Sequence, residues 1–176
     1  MPITDRLRDL TATPRQVATL LAAGCGAALV TSMFVQHVLG LAPCSLCVLQ
    51  RLTFTLVLLL ALPVALGARP ASVATLLGGA IGLAAITGVG IAGYQVWLQT
   101  FARVVPRCGR GLSAYFEDTP LEGQLEWFLA AEGDCSKPVM LVGSISMAEL
   151  GLVAFVLITI AAWRMLAVAP ARVAAR

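Results

Sequence analysis

Apolar residues run along this chain in four long blocks, separated by two short breaks and one long polar segment. The blocks cover roughly Val17 to Val38, Leu46 to Leu66, Ala71 to Leu98 and Val142 to Val168. Each is long enough to cross a bilayer as a helix, which takes about 20 apolar residues. In hydrocarbon a single spanning segment satisfies its backbone only as a helix. The pattern therefore predicts an all-α fold, an integral membrane four-helix bundle forming a single transmembrane domain over residues 1–176. The one long polar segment, about 99–138, leaves no room for a second folded domain.

That segment has a pattern of its own. In "TPLEGQLEWFLAAEG", Thr119 is followed by Pro120 and, three positions on, by Glu122. This is a capping-box start with proline at the first helical position. Leu121, Leu125, Phe128 and Leu129 then fall on one face, with Glu122 and Glu126 off it. The long loop is expected to carry a short amphipathic helix resting on the membrane surface.

Composition strengthens the membrane reading. Of 176 residues 59% are hydrophobic and 12% charged, and the mean hydropathy is +0.90, far above that of a water-soluble domain. Charge then sets orientation, because Lys and Arg accumulate in short cytoplasmic loops and tails. Arg6, Arg8 and Arg15 precede the first span, Arg69 lies between the second and third, and Arg164, Arg172 and Arg176 close the chain. The 99–138 segment instead carries four cations and six acids, a net of −2. Both termini are thus expected to be cytoplasmic, with the 39–45 turn and the long loop facing outward.

The basic start and first apolar block could pass for a secretory signal, and "LLAAGC", ending at Cys25, loosely resembles a lipoprotein processing site. The apolar run continues through "GAALVTSMFV", where a mature lipoprotein would turn polar, so this block is read as a span. Cys25 is expected to be a buried small hydrophobe. Gly24, Gly26, Gly78 and Gly82 read as small residues that let helices approach.

The four remaining cysteines, Cys44, Cys47, Cys108 and Cys135, all fall on the outward side, which is oxidising in a bacterial-type membrane. Three disulfide connectivities are open to them. The C-x-x-C spacing of Cys44 and Cys47 favours a local, readily exchanged ring, and Cys108 and Cys135 would then pair across the loop. A four-thiolate zinc site usually shows two C-x-x-C knuckles, whereas here the second pair is 27 residues apart. Structural staples are a fair account of Cys108 and Cys135. They explain Cys44 and Cys47 poorly, since so small a ring restrains little chain and C-x-x-C is the spacing of exchange chemistry.

Arg51 adds a second signal. An arginine inside a spanning helix costs several kcal/mol on insertion scales and marks a functional site by default. It follows Cys47 by four residues, so on a helix the two share a face. With the second span starting near Pro43, the helix dipole and Arg51 together favour Cys47 as thiolate. The alternative is that Arg51 snorkels to the interface. A thiolate at the hydrocarbon edge needs a lasting electron acceptor, most naturally a lipid-soluble quinone whose oxygen Arg51 would stabilise.

"FVQHVLGLAPCSLCVLQR", the spaced cysteines of the long loop, "EGDC" and "SISMAELG" at the fourth span together resemble the DsbB family of disulfide bond formation proteins, over essentially the whole chain. The resemblance implies a thiol oxidase of the bacterial inner membrane. It would reoxidise a periplasmic thioredoxin-fold dithiol oxidase, DsbA-like, and pass two electrons to ubiquinone or menaquinone. By the same resemblance the partner attacks Cys108, whose loop mate is Cys135. Cys135 attacks Cys44, Cys47 is released as the thiolate facing the quinone, and Arg51 is the arginine at that quinone. Some relatives place a histidine in a stretch like "GYQVWLQ"; this chain has Gln95, so no histidine contribution is expected there. His37, the chain's one histidine, is read as an interfacial polar residue or a quinone neighbour.

Other readings remain: a same-fold oxidase serving a different partner, a quinone reductase of the vitamin K epoxide type, which also uses C-x-x-C, and a non-enzymatic membrane scaffold with structural disulfides. No metal and no nucleic-acid partner is expected.

Overall fold

A computed structural model describes residues 13–67, 70–101, 129, 131 and 133–173. Four helices carry the fold: α1 (Pro14–His37), α2 (Ser45–Ala65), α3 (Ala71–Phe101) and α4 (Met147–Val173). Each contains a stretch long and apolar enough to cross a membrane. Two short antiparallel strands, β1 (Met140–Val142) and β2 (Ile145–Ser146), precede α4. The protein is thus all-α and membrane-spanning, with a small β-ribbon that the hydropathy pattern does not reveal.

The helix ends follow local chemistry more than the apolar blocks do. α1 starts a turn before Val17 because Thr13 and Gln16 form a capping box. The Gln16 amide donates to Thr13 Oγ1 at 3.1 Å, and the Thr13 amide donates to Gln16 Oε1 at 3.1 Å, with Pro14 at the first helical position. α2 ends at Ala65, and Gly67 just beyond it, with a φ of 73°, has the left-handed conformation that closes helices. The Arg15 guanidinium donates to the Ala65 carbonyl at 3.0 Å, covering one of the carbonyls left over at that end.

The fourth helix begins at Met147, not near Val142 as the apolar block implies. Residues 140–146 pair as a hairpin around Gly143, whose φ is 58°, the positive value that a two-residue turn favours. Ser146 and Glu149 then cap α4 reciprocally. The Ser146 amide donates to Glu149 Oε2 at 2.7 Å and the Glu149 amide to Ser146 Oγ at 3.3 Å.

By its internal contacts the chain forms two compact units. The first takes Met1–Leu29, Thr53–Thr87 and Ala154–Arg176. Its interior is packed by Val57, Ala61, Ile81, Ala85 and Met165, and by the rings of Phe54 and Phe155, which stack with centroids 4.2 Å apart. A Cβ on Gly78 would lie 3.5 Å from Leu166, and one on Gly82 would lie 3.7 Å from Ala162, so these two glycines do lie close to α4. Gly24 and Gly26 do not play that part, for a Cβ on either would meet nothing within 4 Å. Cys25 is buried among this unit's apolar side chains.

The second unit takes Val30–Leu52 and Gly88–Val153. It holds Cys44, Cys47, Arg51 and Cys135 and is described next. Cys108 and the stretch expected to start a surface helix at Thr119 lie outside the described residues.

Candidate functional site

The site is built on the first turn of α2. Cys44 is its N-cap, its carbonyl accepting from the Val48 amide at 3.1 Å. Cys47 falls at the third helical position. Both sulfurs therefore sit where the helix dipole is positive. They lie 3.3 Å apart, with Cys44 Sγ donating to Cys47 Sγ. Cys44 lies just ahead of the span, and hydrogen bonding to Cys135, then to Cys47, together with burial, pushes its thiol above the ordinary range.

The loop cysteine is brought to the same place. Cys135 is 2% exposed and packs with Cys44 and Leu98, with Cys47 and Leu46 against them. Its sulfur is 3.7 Å from Ser45 Oγ, a contact between residues 90 apart in sequence. Two devices hold it. Upstream, the Gly133 amide donates to the Pro43 carbonyl at 2.9 Å. A Cβ there would be 2.3 Å from the Ala42 oxygen, so only glycine lets the two backbones lie this close. Downstream, Asp134 accepts from the Ser136 amide at 3.0 Å and from its hydroxyl at 2.7 Å. This turn closes across Cys135, and those two donors hold the exposed Asp134 carboxyl below its usual range.

Arg51 is 4% exposed, its guanidinium held within the protein. Its Nε donates to Ser32 Oγ at 2.5 Å, its Nη2 to the Ser32 carbonyl at 3.2 Å, and its Nη1 to Gln36 Oε1. A desolvated guanidinium is tolerable only with such acceptors around it, and α1 supplies them.

Two glutamines complete the arrangement. Gln95 on α3 is 3% exposed, and its Nε2 lies 3.2 Å from Cys47 Sγ and 3.5 Å from Cys44 Sγ. Gln50 on α2 donates from Nε2 to Gln95 Oε1 at 2.8 Å. Sequence reasoning registered Gln95 as the absence of a histidine and passed over Gln50, Ser32 and Gln36. The available signal was the one that singled out Arg51, a polar side chain within an apolar span.

Cys44, Cys47, Arg51 and Gln95 line one cleft. Val35, Leu41 and Met147 give it apolar walls, while Asp134 and Lys137 stand among its polar lining. The cleft thus combines apolar walls with a few polar side chains, the mixture typical of small-molecule sites, and Cys47 is among its lining residues. His37 is exposed at the end of α1 and is not part of that lining.

The family model of disulfide bond formation protein DsbB matches residues 14–165. Among individual relatives, the disulfide bond formation protein B of Chromobacterium violaceum is 41% identical over 128 residues, covering 72% of this chain and 77% of the relative. That of Saccharophagus degradans is 35% identical over 153 residues, covering 85% and 92%.

Proposed function

The chain belongs to the DsbB family of disulfide bond formation proteins, and from that premise we propose that it is a membrane thiol:quinone oxidoreductase. It would reoxidise a periplasmic DsbA-like dithiol oxidase and pass the electrons to ubiquinone or menaquinone. The observation that carries this reading is the convergence of Cys135, Cys44 and Cys47 at one helix start, where Cys44 and Cys47 line a cleft with the buried Arg51.

In this reading the protein lies in the bacterial inner membrane as a single transmembrane domain, with both termini cytoplasmic and Cys44, Cys47, Cys108 and Cys135 periplasmic. The partner's thiolate attacks Cys108, so the Cys108–Cys135 bond breaks as a mixed disulfide forms, and Cys135 leaves as thiolate. Cys135 then attacks Cys44; the Cys44–Cys47 bond breaks and Cys47 leaves carrying the electron pair. The first turn of α2 stabilises that negative charge. Arg51, oriented by Ser32 and Gln36, would hold the quinone oxygen, and Val35 and Met147 its ring. When bound, the quinone supplies a two-electron acceptor.

The test uses full-length protein purified in detergent, with added quinone followed by its absorbance. Reduction is expected when a reduced thioredoxin-fold dithiol is supplied and not without it. A protein that holds its disulfides against that dithiol and reduces no quinone would be a scaffold.

A further inference from the structure

A carboxamide has two ends of opposite character, and in the interior of a membrane protein either end is costly without a partner. Gln95 offers its oxygen to Gln50 and its NH2 to the sulfurs. With Cys47 as thiolate, the reverse orientation would set two acceptors, the Gln95 oxygen and Cys47 Sγ, against each other. In this structure Gln50 turns its Nε2 to the Gln95 oxygen and its own oxygen to Gly151, and so leaves the Gln95 N–H to the sulfurs. Gln50 is placed in turn by α4: a Cβ on Gly151 would come within 2.4 Å of Gln50 Oε1, so a glycine notch accommodates that end of the side chain. Three helices thus contribute to the direction of a single N–H.

We propose that Gln95 is a catalytic residue whose N–H holds Cys47 as the nucleophilic thiolate, and that Gln50 is the positioning residue that fixes which end of Gln95 faces the sulfur. The proposal rests on the reading of Cys47 as the thiolate of the relay. A thiolate accepts hydrogen bonds where a thiol does so weakly, so a fixed donor favours the charged form. An amide does this without bringing a second buried cation to the site. The donors of Arg51 named above are directed at Ser32 and Gln36, which leaves room for a division of labour between the two polar groups. The other titratable or charged groups around Cys47 are Cys44, Cys135, Arg51, Asp134 and Lys137, and all are retained in the test except Cys44.

The experiment measures alkylation of Cys47 by iodoacetamide against pH in full-length Cys44→Ser protein in detergent, read on the Cys47 peptide by mass spectrometry. Adding Gln95→Leu should move the midpoint up by about one pH unit or more, seen as roughly tenfold slower alkylation below the midpoint. Gln95→Met, unbranched and without a donor, must shift the same way, which guards against a misfolded leucine variant. Gln50→Leu should shift it less, and in combination with Gln95→Leu should add nothing. Unshifted profiles in both Gln95 variants overturn the proposal, even in a protein that reduces quinone. Full additivity of Gln50→Leu with Gln95→Leu overturns the positioning role. A shift in a protein that reduces no quinone upholds the inference and overturns the quinone reading.

Discussion

In the unit formed by residues 1–29, 53–87 and 154–176, every buried described side chain is apolar, from Val17 and Leu21 to Phe155 and Met165. The unit formed by 30–52 and 88–153 instead buries Gln50, Arg51, Gln95 and Ser146 beside Val48, Leu98, Cys44 and Cys135. Lipid is as apolar as leucine, so the first unit gains little from hiding its side chains and must be held by close van der Waals packing. The second accepts the cost of buried polar groups, and its buried side-chain nitrogens and oxygens are all hydrogen-bonded among the described residues. The same helices thus carry a region packed by apolar side chains and a region that buries hydrogen-bonded polar ones.

Substitutions should respect that division. The largest effect is expected from Cys47→Ser, which removes the sulfur assigned to the acceptor. Dithiol-dependent quinone reduction should fall to background while resistance to unfolding in denaturing detergent is unchanged; residual turnover would move the role to another cysteine. Phe155→Ala should do the opposite. Losing the stacked ring should cost about 3 kcal/mol of stability in the same unfolding assay, with turnover per folded molecule unaltered. A drop in turnover there would break the comparison.

Arg51→Leu comes next. One charge-assisted hydrogen bond is worth roughly 1.5–3 kcal/mol, so the KM for quinone should rise about tenfold or more. Unchanged quinone kinetics in a folded variant would leave Arg51 a structural clamp between α1 and α2. Ser32→Ala should have the smallest effect, about 1 kcal/mol or severalfold in the same KM, since Gln36 and the Ser32 carbonyl still orient the guanidinium. A Ser32→Ala effect exceeding that of Arg51→Leu would mean that α1, not the cation, shapes the cleft.

Much of this was legible before any coordinates. Four apolar blocks gave four helices because the length needed to cross hydrocarbon leaves little choice of structure. Cys44, Cys47 and Arg51 were readable because their spacing on one helix is local. The ends were less so. Met140 to Val142 continue the fourth block in hydropathy, and a short apolar strand cannot be told from a helix start by periodicity; Gly143 was the unread signal. Gln95 and Gln50 were invisible as a pair because their meeting depends on how α2 and α3 pack, and neither sits in a motif. The convergence of Cys135 on Cys44 likewise depends on a backbone contact that no pattern announces.

That contact, at Gly133, has a kinetic meaning. In the proposed relay, sulfur exchange between the loop and α2 would be a reaction between two chain segments, with a speed set by how often they meet. Held backbone to backbone, Cys135 is presented to Cys44 at an effective molarity far above what a long tether would give, the regime in which proximity alone removes several kcal/mol of barrier. A side chain at Gly133 would collide with the Ala42 oxygen and detach the segment. The relay would then keep all its sulfurs and its cation, yet exchange at the pace of a random encounter within the reach of its loop.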